Sequence, residues 1–570
     1  MTAATGDAFA DKGAFGASLT HRRASLWLIL ISLLMFLPGF VSNGPMDRDE
    51  PRFAQASKQM IETGDYVDIR FQHEARHKKP VGIYWMQAAV VKTAEALGVP
   101  NARSTISIYR LPSLIAAILA VLLTYWAALP FVTRRHAFVA ALLFGACILI
   151  GVEARLAKTD AVITATVIAA MGAFARLYLR LPSDNPTRWQ IPAVFWSAIA
   201  IGLLVKGPIT PMVPLFAALV LLVKDRAAPW RKDMRFLPGF AWVLLLVAPW
   251  FAMILIKTGG NFLSDSVGQD MLAKVGSGKE NHGAPPLTYF GVFWATAWPL
   301  APFVALAAPF VFKKRAEPKI AFLLAWLIPS WILFEAVPTK LPHYVLPLYP
   351  ALAILVAVVI ERAGLTLGSL WRKAIFALLP LMALAVAGAG LFLLVQNASG
   401  LWIAGGALLG VILITLAVLA WLKMNAGEAE SAAYAATAAA LVTYGLAYTF
   451  IVGGPGFTPY RLSPRLAEAA RAALPTTATC QPKFATISYR EPSLVFLTRT
   501  DLFMTDAKGA AGFMNEGPCR IAFIEAKDDA AFKAAVTAPD MRRASVVSGT
   551  NLNGGKKLDI SVYVRDGLKP

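Results

Sequence analysis

Charge is scarce in this chain. Only 15% of its 570 residues are Asp, Glu, Lys or Arg, 57% are apolar, and the mean hydropathy is +0.57. That balance excludes a soluble globular enzyme and implies a polytopic membrane protein. Cysteine is scarcer still, at three residues. Cys147 lies in an apolar run and reads as packing, whereas Cys480 and Cys519 stand alone in the C-terminal tail and form a candidate pair for an oxidising compartment, with spacing alone leaving the pairing open. Among the six histidines, only His73 and His77 of the outer set have the i, i+4 spacing of a helix-borne zinc site, and they fall in a loop. No metal ligand and no cofactor is therefore assigned, with a divalent metal kept as the alternative. No small-residue cleavage site follows the run 25–41, so the basic stretch His21-Arg22-Arg23 and that run read as a retained first span rather than a signal peptide. No convincing repeat relates the two halves.

Long apolar runs dominate what is there. A helix needs about 20 mainly apolar residues to cross hydrocarbon. Such stretches fall near 25–41, 108–129, 137–152, 161–179, 191–205, 208–223, 237–256, 289–312, 319–336, 343–360, 374–395, 402–422 and 433–452, about thirteen in all. With the N-terminus cytoplasmic, the inner loops are basic throughout: Arg134-Arg135, Arg176 to Arg188, Lys224 to Arg235, Lys313-Lys314-Arg315 with Lys319, Arg362 to Lys373, and Lys423. An odd number of spans leaves 453–570 outside. That tail alternates polar and apolar residues around Ile560-Ser561-Val562-Tyr563-Val564 and reads as a small α/β or β-rich extracytoplasmic domain following a transmembrane domain over 1–452. The net charge of +20 needs no nucleic acid, because basic inner loops on an anionic leaflet and an outer site for phosphate account for it.

The outer connections collect the chemistry. The first outer loop, about 42–107, is too polar to span and carries two amphipathic stretches. Pro51 to Thr63 places Phe53, Ala56, Met60 and Ile61 near one face, and a second helix starts at Pro80 and runs to Gly98. Both read as interfacial helices that hold Asp49, Glu50, Lys78 and Lys79 at headgroup depth. By the structural alternative, Asp49 is a helix cap and the lysines are snorkelling anchors. Arg155, Lys158 and Asp160 follow a span on the same side, and Lys206 sits between two apolar runs with no nearby acid in sequence. A buried cation of that kind needs a partner, and an anionic ligand is one candidate. Lys340, His343 and Tyr344 stand at the mouth of another span among Pro338, Pro342 and Pro347, and His282 belongs to the long connection 257–288.

Five ordered strings carry a family likeness: DEPRFAQASKQMIETGDYV (Asp49 to Val67), KKPVGIYW (Lys78 to Trp85), RLAKTDA (Arg155 to Ala161), LVKGP (Leu204 to Pro208) and TKLPHYVLPLYP (Thr339 to Pro350). Together they resemble the membrane-embedded GT-C glycosyltransferases, and within them the lipid A aminoarabinose transferase and protein mannosyltransferase group. The likeness covers roughly 25–360. It implies a GT-C-like bundle of about thirteen helices in the inner membrane, with an extracytoplasmic site that takes a sugar from a polyprenyl-phosphate carrier. The expected acceptor is a lipid-linked glycan such as lipid A or lipopolysaccharide core, with a protein hydroxyl as the alternative.

By the same resemblance the first-loop acid falls on Asp49 with Glu50 beside it, and the phosphate-contacting lysine on Lys79. Tyr84, Asp160, Lys206, Lys340 and His343 match further motif positions. Asp49, Glu50 and Asp160 are thus the catalytic candidates. Arg52, Lys78, Lys79, Tyr84, Arg155, Lys158, Lys206, His282, Lys340, His343 and Tyr344 are the substrate-binding candidates. One departure stands out: the aminoarabinose transferases carry Glu-Lys-Pro where this chain has Lys78-Lys79-Pro80. Exchanging an acid for a cation shifts the expected sugar from aminoarabinose toward a neutral or carboxylated one, such as galacturonate. The rival class is a secondary transporter or lipid flippase, which places ionisable groups at mid-membrane on broken helices; here they flank the spans except at Lys206-Gly207-Pro208. Reporter fusions inserted near residues 65, 340 and 560 are expected to report one compartment, and fusions near 134, 230 and 314 the opposite one. A split between 65 and 340 overturns the shared outer face.

Overall fold

The computed structural model describes residues 19–46, 48–179, 189–265, 283–362, 364–473 and 480–565. Among the described residues, eight helices are long and apolar enough to cross a membrane: Ile106–Ala128, Asp160–Leu179, Trp230–Thr258, Pro318–Ala336, Pro342–Arg362, Leu370–Asn397, Leu401–Asn425 and Ala429–Ile451. Shorter apolar helices occupy Gln190–Lys206, Ile209–Lys224 and Leu300–Lys313, and His21–Phe36 covers the first run. The run expected at 137–152 is a broken pair, Arg134–Ala146 and Ile148–Glu153, separated at Cys147, whose ψ of 129° is not helical. The run at 289–312 is likewise divided into Thr288–Thr296 and Leu300–Lys313 around Trp298 and Pro299. Every apolar run thus carries helix, while eight meet the length of a crossing on their own.

Burial sorts these helices. The window of Pro342–Arg362 is 89% buried, so this helix is the centre of the bundle, whereas Leu370–Asn397 and Leu401–Asn425 are 28% buried and turn apolar side chains outward, as helices facing lipid do.

The first loop, 42–107, folds as two helices joined by a short hairpin, with Arg70–Phe71 antiparallel to Glu74–Ala75. Helix Asp49–Thr63 has both acids in its first turn, where the helix dipole favours them, and ends at Gly64, which adopts the left-handed φ of +74°. Phe53, Ala56 and Met60 are buried as the periodicity predicts. Helix Gly82–Ala96 begins two residues after Pro80 and approaches the backbone of the bundle so closely that a Cβ on Gly82 would lie 2.8 Å from the Leu204 carbonyl oxygen. Phe53 and Tyr84 rings, 5.4 Å apart, lock the two loop helices together.

An ion pair anchors this loop. Arg110, in helix Ile106–Ala128, and Glu50 are both fully buried, with Arg110 Nε donating to Glu50 Oε1 at 2.6 Å and Nη2 to Oε2 at 2.9 Å. Arg110 also donates to the carbonyls of Phe40, Asn43 and Gly44. Glu50 accepts the Met46 and Ala157 backbone N–H groups at 2.6 and 3.0 Å. All the charge in this pocket is satisfied by hydrogen bonds, the condition under which a buried pair is tolerated.

The tail is an α/β unit. Strand Lys483–Ile487 lies between parallel neighbours Phe503–Thr505 and Arg520–Glu525; Arg520–Glu525 pairs antiparallel with Lys557–Arg565, which pairs antiparallel with Arg542–Thr550. Alternate residues face two cores. Phe484, Ile521, Phe523 and Val562 pack with Leu466 and Ala470 on one side, and Ala485, Ala522, Ile524 and Tyr563 with Met514 and Phe532 on the other. Cys480 and Cys519 form a disulfide at the start of this sheet. The tail rests on the first loop: Gln55 Nε2 donates to Thr500 Oγ1 at 2.7 Å, Gln72 Nε2 to the Thr500 and Leu502 carbonyls, and Arg48 pairs with Glu491 at 3.2 Å. Lys58 is buried in this contact and donates to the Phe496 carbonyl at 3.3 Å. Burial pushes its ammonium below the ordinary lysine value, and Glu62 opposes that shift.

Breaking the anchor is expected to be costly. Glu50→Ala leaves Arg110 buried without its counter-charge and should lower unfolding stability by about 3–5 kcal/mol. Thermal or denaturant unfolding in detergent checks this, with Arg110→Met/Glu50→Leu expected to recover most of the loss. An unchanged unfolding midpoint for Glu50→Ala refutes the anchoring role.

Candidate active site

A cavity of about 700 Å³, counting the open water at its mouth, lies between the first loop, the start of helix Asp160–Leu179, the end of helix Gln190–Lys206 and the segment leading into Pro342. Its position follows from where helices start and stop. Asp160 is the first residue of its helix, where a carboxylate meets the positive end of the dipole, and Lys206 is the last of its own, where an ammonium meets the negative end. Gly207, at φ +69°, ends that helix in a backbone conformation suited to glycine.

The two charges meet. Lys206 Nζ donates to Asp160 Oδ1, and both side chains are buried. Lys206 thus has its partner 46 residues earlier in the chain. Its ammonium also lies 5.1 Å from the centre of the Tyr344 ring. His343 stands between two carboxylates, with Nδ1 3.7 Å from Glu153 Oε1 and Nε2 3.7 Å from Asp160 Oδ1. Lys158 Nζ lies 3.6 Å from the same Glu153 oxygen. The floor of the cavity is therefore formed by Asp160, Lys158, Lys206 and His343, with Glu153 behind it against Lys158 and His343. Glu153, Asp160 and His343 offer ligand atoms within 4.8 Å of one another, a spacing that suits a cation, but Lys158 and Lys206 already balance the two acids. His77 has other work, its ring nitrogens meeting Asp68 at 2.9 Å and Asp265 at 3.2 Å.

The rim comes from the first loop. Asp49 and Lys79 line the cavity together with Lys78, Phe53 and Arg76. The Asp49 carboxylate is about half exposed, 46%, and lies 3.8 Å from Arg52 Nη1. Arg52 itself opens onto an adjoining recess, which shares Arg76 and Lys78 with the cavity.

Asp49, Lys78, Lys79, Lys158, Asp160, Lys206, His343 and Tyr344 thus converge on one cavity, and other sequence candidates do not. Glu50 faces away from the cavity, in the Arg110 clamp, because one residue along an α-helix turns the side chain by about 100°. Arg155 is buried against backbone, donating to the carbonyls of Pro38, Gly151 and Met35, with its guanidinium 3.9 Å from the centre of the Tyr448 ring. Lys340 turns its ammonium to the Ala284 and Val337 carbonyls at 3.1 and 2.9 Å and ties that connection to the helix end. Tyr84 packs beneath the loop against Phe53. His282 lies outside the described residues. Glu153 and Arg76 were not singled out in the sequence. The signal for Glu153 is its place two residues ahead of the Arg155 motif; that for Arg76 is the surplus of positive charge in the first loop.

Comparison with known proteins agrees with this architecture. Residues 78–252 match the family model of dolichyl-phosphate-mannose-protein mannosyltransferases. The chain is 26% identical over 341 residues to the undecaprenyl phosphate-alpha-4-amino-4-deoxy-L-arabinose arabinosyl transferase of Yersinia pestis, strain Pestoides F, a match covering 58% of each chain. It is 26% identical over 342 residues to the Aeromonas salmonicida protein of the same name. The matched stretch spans less than two thirds of these relatives' length. Over 94% of this chain and 97% of the other, the structure superposes on ArnT from Cupriavidus metallidurans bound to undecaprenyl phosphate with a TM-score of 0.72 at 16% identity. It also superposes on the Archaeoglobus fulgidus oligosaccharyltransferase at a TM-score of 0.50 and 12% identity, covering 92% and 72%. The chain is a multi-pass membrane protein with a GT-C fold, similar to the aminoarabinose transferases.

Proposed function

We propose that this protein is an integral-membrane glycosyltransferase that moves a sugar from a polyprenyl-phosphate carrier to an outer-facing acceptor, lipid A or lipopolysaccharide core. The convergence of Asp49, Lys79 and the Asp160–Lys206 pair on one cavity carries this reading. The names of the similar proteins, arabinosyl transferases that use undecaprenyl phosphate, support it.

The chemistry follows from charge. When the bond between the anomeric carbon and the carrier phosphate breaks, the phosphate leaves with added negative charge, and fixed ammoniums at Lys79, Lys158 and Lys206 stabilise that charge more in the transition state than in the substrate. Asp160 and Glu153 keep the cationic floor from being self-repelling before substrate arrives. Asp49, exposed at the rim and neighboured by Arg52, is the group placed to receive the proton of an acceptor hydroxyl. An acceptor already ionised at phosphate needs no base, and Asp49 then orients it. Attack from the side opposite the phosphate inverts the anomeric centre. Lys78 beside Lys79 favours a carboxylated sugar, such as a uronic acid, over an amino sugar by Coulombic attraction.

The proposed setting is the inner membrane, with the N-terminus cytoplasmic, a transmembrane catalytic domain over 1–452 and an extracytoplasmic domain over 453–570. The Cys480–Cys519 disulfide supports an oxidising location for the tail.

Purified protein supplied with a labelled undecaprenyl-phosphate sugar and an outer-membrane lipid extract is expected to transfer the label. Asp49→Asn and Lys79→Ala should each lower kcat by about 100-fold or more, the scale of removing one general base or one oxyanion-stabilising group, with unfolding midpoints unchanged. Full activity in both variants overturns the assignment, and energised uptake of the sugar without transfer favours the transporter.

A further inference from the structure

Arg76 is a cation whose charge the fold does not balance. It is 9% exposed, its Nε has no hydrogen-bond partner among the described residues, and no carboxylate among them forms an ion pair with it. Its one aromatic contact is with the Phe53 ring, 5.1 Å from the guanidinium carbon. The backbone explains how it is held: Arg76 N–H donates to the Ile69 carbonyl at 2.7 Å, which fixes the residue just beyond the loop hairpin. A buried N–H without an acceptor costs free energy, and an incoming anion that accepts from the Arg76 Nε recovers that cost.

The space around Arg76 suits such an anion. Arg76 lines both the reaction cavity and the adjoining recess of about 910 Å³, open water included. That recess is bounded by Arg52, His73, Glu74 and Lys78 from the first loop and by Arg490 from the tail. Cations outnumber the single carboxylate, and the recess is built from both parts of the chain, so an occupant would bridge them. The adjoining cavity supplies Lys79, Lys158 and Lys206 for a carrier phosphate, which leaves the recess to the second substrate.

We propose that this recess binds a phosphate group on the acceptor's lipid headgroup, with Arg76 as its buried anchor and Arg490 as its outer clamp. The proposal rests on the transferase reading for the word acceptor, but not for the binding itself. Arginine suits the task because its planar fork offers paired donors to a phosphate. An acceptor held there presents the rest of its headgroup across the shared wall of Arg76 and Lys78 toward Asp49.

The test is a binding measurement without turnover. The full chain in nanodiscs is titrated with a phosphorylated glucosamine disaccharide lipid and with the same lipid after phosphatase treatment. Wild type is expected to prefer the phosphorylated form by about tenfold or more, the discrimination worth about 1.4 kcal/mol. Arg76→Ala should erase that preference and Arg76→Lys keep part of it. Arg490→Ala, at an exposed position that folding does not need, should reduce it about threefold or more. Binding of undecaprenyl phosphate should stay unchanged in Arg490→Ala, because Arg490 lines the recess and not the reaction cavity. Equal affinity of wild type for the two lipids overturns the proposal, as does a preference that survives both alanine variants. If Arg490→Ala weakens undecaprenyl phosphate instead, the recess serves the donor and the proposal fails; equally tight binding of inorganic phosphate alone assigns the site to the free ion and also defeats it. A chain that shows the expected preference but transfers no sugar sinks the transferase reading and leaves the phosphate site standing.

Discussion

Five hydrogen bonds radiate from the Arg110 guanidinium, two to Glu50 and three to the carbonyls of Phe40, Asn43 and Gly44. Through Glu50 the same network reaches the backbone of Met46 and Ala157. The chain end of the first helix, the start of the first-loop helix, the helix from Ile106 and the turn before Asp160 are thereby fixed to one buried charge pair. Asp49 is the residue next to Glu50, and Lys158 and Asp160 follow Ala157 closely, so the rim and the floor of the cavity take their relative position from this clamp. Its cost is the desolvation of two charges, offset because nearly every donor and acceptor in it is satisfied. An apolar pair in its place would hold the elements together but would lack directional bonds to the backbone of residues 40–46 and of Ala157.

The cavity itself depends on helix ends. An unbroken span would carry charged groups through hydrocarbon, whereas Asp160, Lys206 and His343 occupy the ends or irregular starts of helices, where dipoles and partner charges compensate them. Pairing Asp160 with Lys206 joins two helices by their opposite ends. In the proposed reaction a carrier phosphate would meet ammoniums already held by carboxylates, with their positions set before binding and little reorganisation as charge develops.

Much of this was legible in the sequence, and the reasons differ by residue. Apolar runs and basic loops located the helices because membrane insertion constrains every residue of a span. The alternation at Ile560 to Val564 announced the tail's strand for the equivalent reason that a sheet sorts side chains by parity. Asp49, Lys79, Asp160, Lys206 and His343 were legible as chemistry flanking spans. The face each side chain takes was not. Glu50 and Asp49 are neighbours in sequence yet only Asp49 lines the cavity, and Arg155 shares a motif with Asp160 yet turns into a cage of backbone carbonyls. Lys206 read as a cation without an acid because its partner belongs to another helix, and contacts of that range leave no local pattern. Broken helices defeated length-based counting for a similar reason: the kink at Cys147 is stabilised by contacts with Leu143 and Ala297, the second of them distant in the chain.

The first loop carries nine cations between Arg48 and Arg103, and the structure separates them. Arg48 binds Glu491 and Arg70 binds Asp68, while Arg103 pairs with Glu95; these are internal ties of the loop and its seat under the tail. Lys58 is buried in that same seat. Lys92 lies over the Tyr66 ring, and Arg52, Arg76, Lys78 and Lys79 gather on the two adjoining hollows. A loop whose only task was to lie on the membrane would distribute its cations toward headgroups at its edge. Concentrating them instead on concave surfaces, with one guanidinium buried and unbalanced, is an arrangement that makes physical sense when anions enter those hollows, and the tail that closes over them contributes Arg490 to the same wall.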